Sequence, residues 1–379
     1  MKSILHICSF YTSTNLYKNL IMALNSKGLN NSIFVPCRVS DVKHKNDDID
    51  ISYYSAFKDG NTLLEKITNI YEQYEFYKLT SRIYTNLKEQ YNVNKYDFIH
   101  AHSLYINGYL AYKLYKEFGI EYIVAIRNTD VNVYLKHAIH LRKLGMDVMR
   151  NAKNIIFISE SYKEEVLNKY VPKDEIQKFK NKSLVIPNGI DEYWISEELD
   201  KQKVMDKDCI KLIQVGRIDK NKNVTTSIKI CETLNNMGIH STLTIVGDGP
   251  LKRKYMNEYK NHDKITFKEK APKEIIKKYF DNSDIFIMLS KYETFGLVYP
   301  EAMSRGLPVL YTKNQGFDKY FKDGEVGYPI RYNDFVDGVK KVKMIISDYN
   351  DFSTNAYREH KQFSWVKISE IYKNIYLKE

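Results

Sequence analysis

One stretch of the chain, residues 285–309, constrains the fold more than any other. It opens with the apolar run 285–290, which is typical of a strand buried on both faces of a parallel sheet. Pro300 suits the first turn of a helix, where its missing N–H would be unpaired in any case. Gly306 followed by Pro308 signals the end of that helix. The stretch therefore predicts a strand, a glycine-containing loop, a short helix and another strand.

The loop of this stretch favours an anionic ligand. Backbone N–H groups at a helix N-terminus are unpaired, and the partial positive charge there favours a phosphate. Gly296 lets the backbone approach a ligand closely. The predicted backbone donors are Phe295, Gly296, Leu297 and Val298.

Two carboxylates, Glu293 and Glu301, flank the loop. A carboxylate only accepts hydrogen bonds at neutral pH, so such a pair suits the hydroxyl groups of a ribose or a hexose. Each glutamate alone has a simpler interpretation: Glu301 complements the helix dipole and Glu293 is solvated. The combination with the loop is more specific than either residue.

The two glutamates, the segment 295–297 between them and the segment 301–309 resemble the signature of glycosyltransferase family 4. The resemblance implies the α/β fold named GT-B, in which two Rossmann-like doubly wound domains face a central cleft and a C-terminal helix crosses back to the first domain. It also implies a retaining reaction on a nucleotide sugar. The resemblance covers nearly all of the second half, with support from 188–191 and from the helix after Trp365, and is weaker in the first half.

The length of 379 residues suits two domains, each with its own core. Strand-like and helix-like segments alternate in each half, as in a doubly wound sheet. A charged segment without periodicity separates the halves and is predicted to be a linker. The predicted division is an N-terminal acceptor-binding domain at 1–191, a linker at 192–208, a nucleotide-sugar donor-binding domain at 209–355 and a returning C-terminal helix at 356–379.

Two long helices are predicted in the first domain. The first spans residues 61–87, with apolar residues at core-like spacing. The second spans residues 134–151 and mixes apolar with basic residues. A basic amphipathic helix can lie on an anionic membrane surface, but a core-facing helix with a solvated basic side is the commoner case.

The composition indicates an attraction to anions. Lys and Arg number 58 against 47 for Asp and Glu, a formal net charge of +11. Nucleotide sugars, phospholipid surfaces and nucleic acid are all anionic, and nucleic acid is the least favoured because no nucleic-acid motif is recognisable. The hydrophobic content of 43% argues against disorder.

The cysteines and the apolar segments favour a cytoplasmic protein. The spacing of the four cysteines matches neither a disulfide framework nor a zinc site, so free thiols in a reducing compartment are expected. The first residues lack the long apolar core of a signal peptide, and no stretch has the roughly 18 to 20 apolar residues that span a bilayer. Peripheral contact with the inner face of the cytoplasmic membrane remains compatible with this pattern. The four are Cys8, Cys37, Cys209 and Cys231.

A second glycine turn, residues 216–223, carries two well-placed cations after a predicted strand. The planar fork of Arg217 can hold a phosphate with two hydrogen bonds, and Lys222 offers a compact charge. Together they could neutralise a diphosphate leaving group without a metal. Without the rest of the pattern, a solvated basic turn would be the better interpretation.

The resemblance assigns roles to these turns. It implies that Gly216, Arg217 and Lys222 bind the diphosphate and that Gly247 and Gly249 lie beside the nucleotide. It also implies that Glu301 binds the ribose and that Glu293 positions the transferred sugar rather than forming a covalent intermediate. The choice of base and sugar is expected to depend on loops of the first domain and on side chains around Gly249 and Lys268. The predicted catalytic residues are Glu293, Arg217 and Lys222, and no metal or other cofactor is expected.

Three residues of the first domain follow predicted strands: His102, Arg127 and Asp130. Ligands of open α/β sheets bind beyond the carboxyl ends of the strands, which makes these residues candidates for acceptor or sugar contacts. Many family members carry a histidine after the strand that ends here at Ile126, where this chain has residues 127–130, and a Gly-Gly pair where it has the turn 9–15. An Asp-x-Asp at 48–50 resembles a metal motif of the other glycosyltransferase fold, but its charged, loop-like setting makes a metal role improbable.

The sequence therefore predicts a retaining, metal-independent transferase acting on a nucleoside diphosphate sugar, with a UDP-sugar the expected donor. The sugar is a hexose or an N-acetylhexosamine, and the acceptor is a glycan or a lipid-linked oligosaccharide of surface polysaccharide biosynthesis, as in capsule or lipopolysaccharide. Two alternatives stay open. One is another activity of the GT-B fold, a nucleotide-sugar epimerase or a phosphorylase. The other is a non-catalytic protein of this fold that binds a nucleotide or a glycan.

Overall fold

The structure is a computed structural model that describes residues 2–38, 40, 49–57, 70–199, 203–206 and 208–378. The chain forms two compact units, Met1–Gly189 with Trp365–Glu379, and Ile190–Ser364. The first unit thus ends at residue 189, against the predicted 191, and the C-terminal segment joins it from residue 365, against the predicted 356.

The first unit contains a sheet of seven parallel strands. In sequence order they are β1 (Ser3–Ile7), β2 (Asn30–Arg38), β3 (Asp50–Phe57), β4 (Phe98–Ala101), β5 (Tyr122–Ile126), β6 (Asn154–Phe157) and β7 (Ser183–Val185). In space the order is β3-β2-β1-β4-β5-β6-β7, so the winding direction reverses between β1 and β4, as in a doubly wound sheet. All residues of β4 and β5 are buried, which explains why those strands are continuous apolar runs.

Seven α-helices belong to the described part of this unit. They are α1 (Leu16–Asn25), α2 (Ile70–Gln90), α3 (Ile106–Phe118), α4 (Arg142–Asn151), α5 (Glu160–Lys169), α6 (Ile176–Asn181) and, from the C-terminus, α14 (Trp365–Leu377). Helix α14 packs against α1, and its Trp365, Ile368 and Tyr372 join the same apolar cluster as Ile4 of β1. The C-terminal segment therefore completes the core of the first unit.

The predicted helix 134–151 is wrong as a single helix. The structure has a π-helix at Asp130–Leu135, a 3-10 turn at Ile139–Leu141 and then α4. Nε of Arg142 donates to the carbonyl of Leu135 at 2.6 Å, and that carbonyl would otherwise accept from residue 139 of a continuous helix. The side chain thus replaces a helical hydrogen bond and allows the chain to turn.

The predicted helix 61–87 is described only in part, because residues 61–69 lie outside the described residues. The described part is α2, which continues beyond the predicted end to Gln90. Its buried residues Phe76, Ile83 and Leu87 belong to the main apolar cluster of the first unit.

The second unit contains six parallel strands in the order β10-β9-β8-β11-β12-β13. They are β8 (Ile210–Val215), β9 (Ser241–Val246), β10 (Ile265–Lys268), β11 (Ile285–Met288), β12 (Val309–Thr312) and β13 (Gly327–Ile330). The helices described in this unit are α7 (Glu192–Ser196), α8 (Val224–Asn236), α9 (Lys252–Glu258), α10 (Lys273–Asp281), α11 (Val298–Met303), α12 (Phe335–Ser347) and α13 (Tyr349–Glu359). Within the described ranges, no helix has both the length and the apolar character needed to cross a bilayer.

The segment predicted as a linker begins with a helix, α7, in the second unit. The Asp191 side chain caps α7 by accepting from the N–H of Tyr193. Trp194 is buried, and its ring centroid lies 5.8 Å from that of Phe280 on α10. This apolar anchor explains why a charged segment adopts a fixed structure here.

The contact between Gly189 and Trp365 gives a test of how α14 is held. A Cβ added at Gly189 would lie 2.5 Å from Cε2 of the Trp365 indole, so Gly189→Ala forces the ring to move. We expect a loss of stability of about 1–3 kcal/mol, the usual cost of overpacking. The measurement is denaturant unfolding followed by Trp365 fluorescence in a Trp194→Phe background, which leaves one tryptophan in the chain.

The control is Gly119→Ala, at a glycine of the same unit with a φ of +72° and no atom within 4 Å of an added Cβ. It carries only a backbone cost of about 1 kcal/mol. Equal losses in the two variants, with unchanged Trp365 emission, would contradict the packing described.

Candidate functional site

Strand pairing in the second unit places two predicted loops side by side. Strands β8 and β11 are parallel neighbours, so their carboxyl ends meet at the same edge of the sheet. The loop after β8 carries Lys222 and the loop after β11 carries Glu293. The Lys222 Nζ lies 2.6 Å from the Glu293 Oε2, and the two side chains are 22% and 10% exposed. Two residues 71 positions apart therefore form one nearly buried ion pair.

The loop after β8 is held by its own hydrogen bonds. The Asp219 Oδ1 accepts from the backbone N–H groups of Asn221 and Lys222, both at 2.9 Å. Gln214 on β8 donates to the carbonyl of Lys222 at 2.8 Å, and Asn223 adopts a left-handed conformation with a φ of 50°. Such an Asp-centred turn fixes the backbone from which Lys222 extends.

The loop after β11 is held by the segment that follows β12. The N–H of Glu293 donates to Oε1 of Gln315 at 2.9 Å, and its carbonyl accepts from the N–H of Gly316 at 2.7 Å. The second carboxylate oxygen of Glu293 accepts from the N–H of Thr294 at 3.2 Å. A Cβ at Gly316 would overlap with the backbone of Thr294, so this close approach requires glycine.

A cavity of about 660 Å³ lies beside the ends of β8 and β9. Arg217 is at its edge, with a side chain that is 69% exposed and 3.3 Å from Asp219. The predicted residues Gly216, Arg217, Gly247 and Gly249 thus line one space. The lining residues are Val215, Gly216, Arg217, Val246, Gly247, Asp248, Gly249, Pro250, Lys270, Ala271 and Ile276.

The glycines of this cavity are required by the crossing of two turns. A Cβ at Gly247 would overlap with the carbonyl oxygen of Gly216, and a Cβ at Gly249 would meet the carbonyl of Ile218. The N–H of Ile218 donates to the carbonyl of Asp248 at 2.9 Å, which ties the turns together. Glycine here allows two backbones to pack, and their close packing forms the cavity wall.

The predicted loop 295–298 offers its backbone rather than its side chains. The Phe295 ring is buried against Phe317, Tyr320 and Phe363. Gly296 has a φ of 85°, and a Cβ there would lie 2.5 Å from the Tyr299 ring. Within the described part of the chain, the N–H groups of Phe295, Gly296 and Leu297 have no acceptor. Val298 is the first residue of α11, and its side chain is half-buried, as is that of Leu297.

Glu301 lies in the first turn of α11 and is half-buried. Burial, together with the negative charge of Asp191, raises the pKa of Glu301 to about 7, and Lys273 opposes this shift. Lys273 itself pairs with Asp191 at 2.8 Å. Glu301 thus stands beside an ion pair that sequence reasoning missed, since its members lie 82 residues apart.

Lys268, the remaining residue predicted for the donor site, is not among the residues that line the cavity. The Lys268 carbonyl accepts from the N–H of Gly247 at 3.1 Å, while the residue is exposed. Lys270, two positions along, lines the cavity instead. The sequence signal for a lysine at this cavity was the lysine-rich segment 268–273, and the sequence alone could not show which of its lysines faces the cavity.

In the first unit, the three predicted residues gather at the ends of β4 and β5. Asp130 is buried, and its carboxylate accepts from the N–H groups of Leu104, Tyr105 and Arg127 at 3.0, 3.4 and 2.8 Å. Burial raises the pKa of Asp130 to about 6, against the effect of those hydrogen bonds. His102 is also buried, so Arg127 is the one of the three with exposed surface.

His102 belongs to a buried cluster with His6 and His100. Nε2 of His6 lies 2.9 Å from the Asn31 Oδ1, and the Asn31 amide nitrogen donates to Asn25, so we assign the proton to that Nε2. The His6 Nδ1 then accepts from Nε2–H of His102 at 3.0 Å. Burial lowers the pKa of all three histidines, that of His6 to about 4, and the cluster is uncharged at neutral pH.

The Asp-x-Asp motif is described only in part, because Asp48 lies outside the described residues. The Asp50 carboxylate accepts from the Ser32 hydroxyl at 2.6 Å. This bond joins β2 to β3 and gives Asp50 a structural role.

Comparison with known proteins relates this geometry to glycosyl transfer. Residues 195–359 match the family model of "Glycosyl transferases group 1". An uncharacterised glycosyltransferase of Methanocaldococcus jannaschii is 25% identical over 75% of this chain and 76% of its own length. The N-acetyl-alpha-D-glucosaminyl L-malate synthase of Bacillus anthracis is 23% identical over 82% of each chain.

Solved structures agree on the fold. Sucrose-phosphate synthase of Thermosynechococcus elongatus matches with a TM-score of 0.73 at 18% identity, over 99% of this chain and 98% of its own. HepE of Anabaena in complex with UDP and glucose matches with a TM-score of 0.64 at 14% identity, over 100% of both chains. The predicted fold, two Rossmann-like units of the GT-B type, is confirmed, and the matches support a GT-B glycosyltransferase.

The raised pKa of Glu301 gives a pH-dependent test of this site. Its pKa of about 7 lies above the ordinary value of 4.5, so its contribution to stability is complete below about pH 4.5 and is lost as the pH rises through 7. Glu301→Gln cannot ionise and should therefore unfold at a higher temperature than the wild type at pH 8, with little difference at pH 4. Thermal unfolding across this pH range is the measurement.

Glu274→Gln is the matched control, because Glu274 is an exposed glutamate in the first turn of α10 in the same unit. Its unfolding temperature should follow that of the wild type throughout. A constant offset between Glu301→Gln and the wild type, independent of pH, would contradict the assigned shift.

Proposed function

We propose that the chain is a retaining, family 4 type glycosyltransferase that needs no metal. It transfers a hexose or an N-acetylhexosamine from a nucleoside diphosphate sugar, with UDP as the expected nucleotide, to a glycan or lipid-linked oligosaccharide. The observation that carries the proposal is the meeting of three features at one sheet edge of the second unit. They are the glycine-walled cavity with Arg217, the Lys222–Glu293 ion pair and the unpaired N–H groups beside Gly296.

Each group has a chemical role in this proposal. The exposed fork of Arg217 and the ammonium of Lys222 bind the diphosphate and neutralise the charge that develops on it as it leaves. Glu301 accepts hydrogen bonds from ribose hydroxyls in its ionised form. Glu293 accepts from hydroxyls of the transferred sugar, and Lys222 holds its carboxylate by an ion pair.

The reaction exchanges one bond at the anomeric carbon. The bond to the diphosphate oxygen breaks with its electron pair, which goes to the departing nucleoside diphosphate. A bond to the acceptor hydroxyl oxygen forms on the same face of the sugar, and the hydroxyl proton passes to the departing phosphate. No enzyme nucleophile is required, and so Glu293 remains a positioning group for the sugar.

The ion pair holds the nearly buried Glu293 side chain in place before the donor binds. Without a ligand, the ammonium of Lys222 pairs with the carboxylate of Glu293. An ammonium has three N–H donors, so Lys222 can keep this bond and still donate to a phosphate oxygen. Removing Lys222 alone leaves Glu293 unpaired, and some loss of stability is expected in that variant.

The acceptor class and the place of action rest on relatives and charge. Among the relatives is a capsular polysaccharide biosynthesis glycosyltransferase of Staphylococcus aureus, 25% identical over 60% of this chain. The net charge of +11 would favour anionic acceptors and the anionic inner face of a cytoplasmic membrane. We therefore place the enzyme in the cytoplasm, in surface polysaccharide biosynthesis.

The donor site is tested by nucleotide binding to two variants. Arg217→Gln should weaken UDP binding about tenfold or more, because a charged hydrogen-bond pair contributes about 1.5–3 kcal/mol. The side chain is 69% exposed, so its loss should leave the fold intact. The double variant Arg217→Gln/Lys222→Gln should bind UDP too weakly to measure. Calorimetric titration with UDP, GDP, ADP and CMP in the presence of EDTA gives the affinities and the preferred base.

The control is the double variant Arg253→Gln/Lys254→Gln, which removes the same two charges from exposed positions on α9 of the same unit. Its affinity should stay within twofold of the wild type. Binding of UDP that survives the loss of both Arg217 and Lys222 would refute the diphosphate assignment. A requirement for a divalent cation would refute metal independence.

A further inference from the structure

Arg127 stands at the carboxyl end of β5 in the first unit, where open parallel sheets bind their ligands. The residue is half-buried, and its guanidinium contacts neutral groups. Nε donates to the carbonyl of His102 and Nη1 to the side-chain oxygen of Asn188, each at 3.4 Å. The guanidinium carbon lies 5.9 Å from the centre of the Tyr17 ring, and the Tyr372 hydroxyl is also beside it.

The nearest carboxylate does not form an ion pair with this arginine. Asp130 accepts three backbone N–H groups, including that of Arg127 itself, and its side chain makes no salt bridge with the guanidinium. The charges of Arg127 and Asp130 still interact, but within the described residues no carboxylate is in ion-pair contact with the guanidinium. The histidines beneath it are uncharged because burial lowers their pKa.

A half-buried cation that no carboxylate contacts is unfavourable. The cost of burying its charge falls when an anion binds directly to it. The two hydrogen bonds of 3.4 Å are at the long, weak end for an N–H donor. A guanidinium has five N–H groups in a planar fork that matches a carboxylate or a phosphate. The surroundings therefore hold the fork in place, while Asp130 compensates its charge only from a distance and no carboxylate contacts its N–H groups.

We propose that Arg127 is an anion-binding site of the first unit, and that the anion is a carboxylate or a phosphate carried by the acceptor. This inference rests on the proposed glycosyltransferase function and narrows its acceptor to an anionic one. The buried His6–His102 pair and Asp130 act as positioning groups, because they fix the carbonyl of His102 and the backbone of Arg127.

The test separates this site from the diphosphate site. All proteins carry Arg217→Gln/Lys222→Gln, so that a small anion cannot bind at the donor cavity. Inorganic phosphate and glucuronate are titrated separately at constant ionic strength, and binding is followed by calorimetry. Tighter binding of phosphate assigns the anion to a phosphate group of the acceptor, and tighter binding of glucuronate assigns it to a carboxylate.

Three further variants are compared in that background. Arg127→Gln should weaken binding of the preferred anion about tenfold or more. Arg127→Lys keeps the charge but loses the fork, and should give an intermediate loss. Arg82→Gln removes an exposed arginine from α2 of the same unit and should stay within twofold of the background. Far-ultraviolet circular dichroism and thermal unfolding confirm that each variant is folded.

The proposal is overturned if neither anion binds, if Arg127→Gln binds both as the background does, or if Arg82→Gln loses as much affinity. A separate titration of UDP into Arg127→Gln with the donor site intact should match the wild type. A loss of UDP affinity there would assign Arg127 to the donor and overturn the acceptor role. Because UDP binding is measured on its own, failure of the anion site leaves the donor-site result standing.

Discussion

The parallel pairing of β8 with β11 is the interaction on which the candidate donor site depends. In that pairing Ile285 lies opposite Leu212 and Phe286 opposite Ile213. Parallel neighbours release their next loops at the same edge, and this brings Lys222 to Glu293 although 71 residues separate them. Every residue of β11 and all but one residue of β8 are buried, so core packing on both faces of the sheet holds this pairing, and the site with it.

Glycines convert this pairing into a binding surface. At Gly247, Gly249 and Gly316 an added Cβ would overlap with a neighbouring backbone, so each loop lies directly on another. The loops then need few side chains to be held, and their polar groups can face a ligand. Asp219 and Gln315 complete the arrangement. The Asp219 carboxylate accepts from the backbone N–H of Lys222, and the side-chain oxygen of Gln315 accepts from the backbone N–H of Glu293.

Several elements followed from local patterns, and others depended on particular side-chain contacts. The apolar runs at 122–126 and 285–288 became buried parallel strands, because side-chain period and length suffice to define such strands. The helix predicted at 134–151 is broken, because Arg142 takes a carbonyl acceptor that helix periodicity cannot reveal. The short helix at 192–196 appears within a charged segment, because Trp194 finds Phe280 on another helix. In the first of these last two cases a side chain of the segment itself overrides the local preference, and in the second a contact with a distant helix does so.

The sequence by itself determined the doubly wound α/β class, the strand–loop–helix around Gly296, and the basic and acidic residues of the donor site, because these follow from spacing along the chain. Tertiary structure alone decided which of them meet. It paired Lys222 with Glu293, buried the Phe295 ring and placed Glu301 beside Asp191 and Lys273. It also left Arg127 without a contacting carboxylate in the described residues. Partnership, burial and pKa depend on groups far apart in the chain, and only the packing of the sheets brings those groups together.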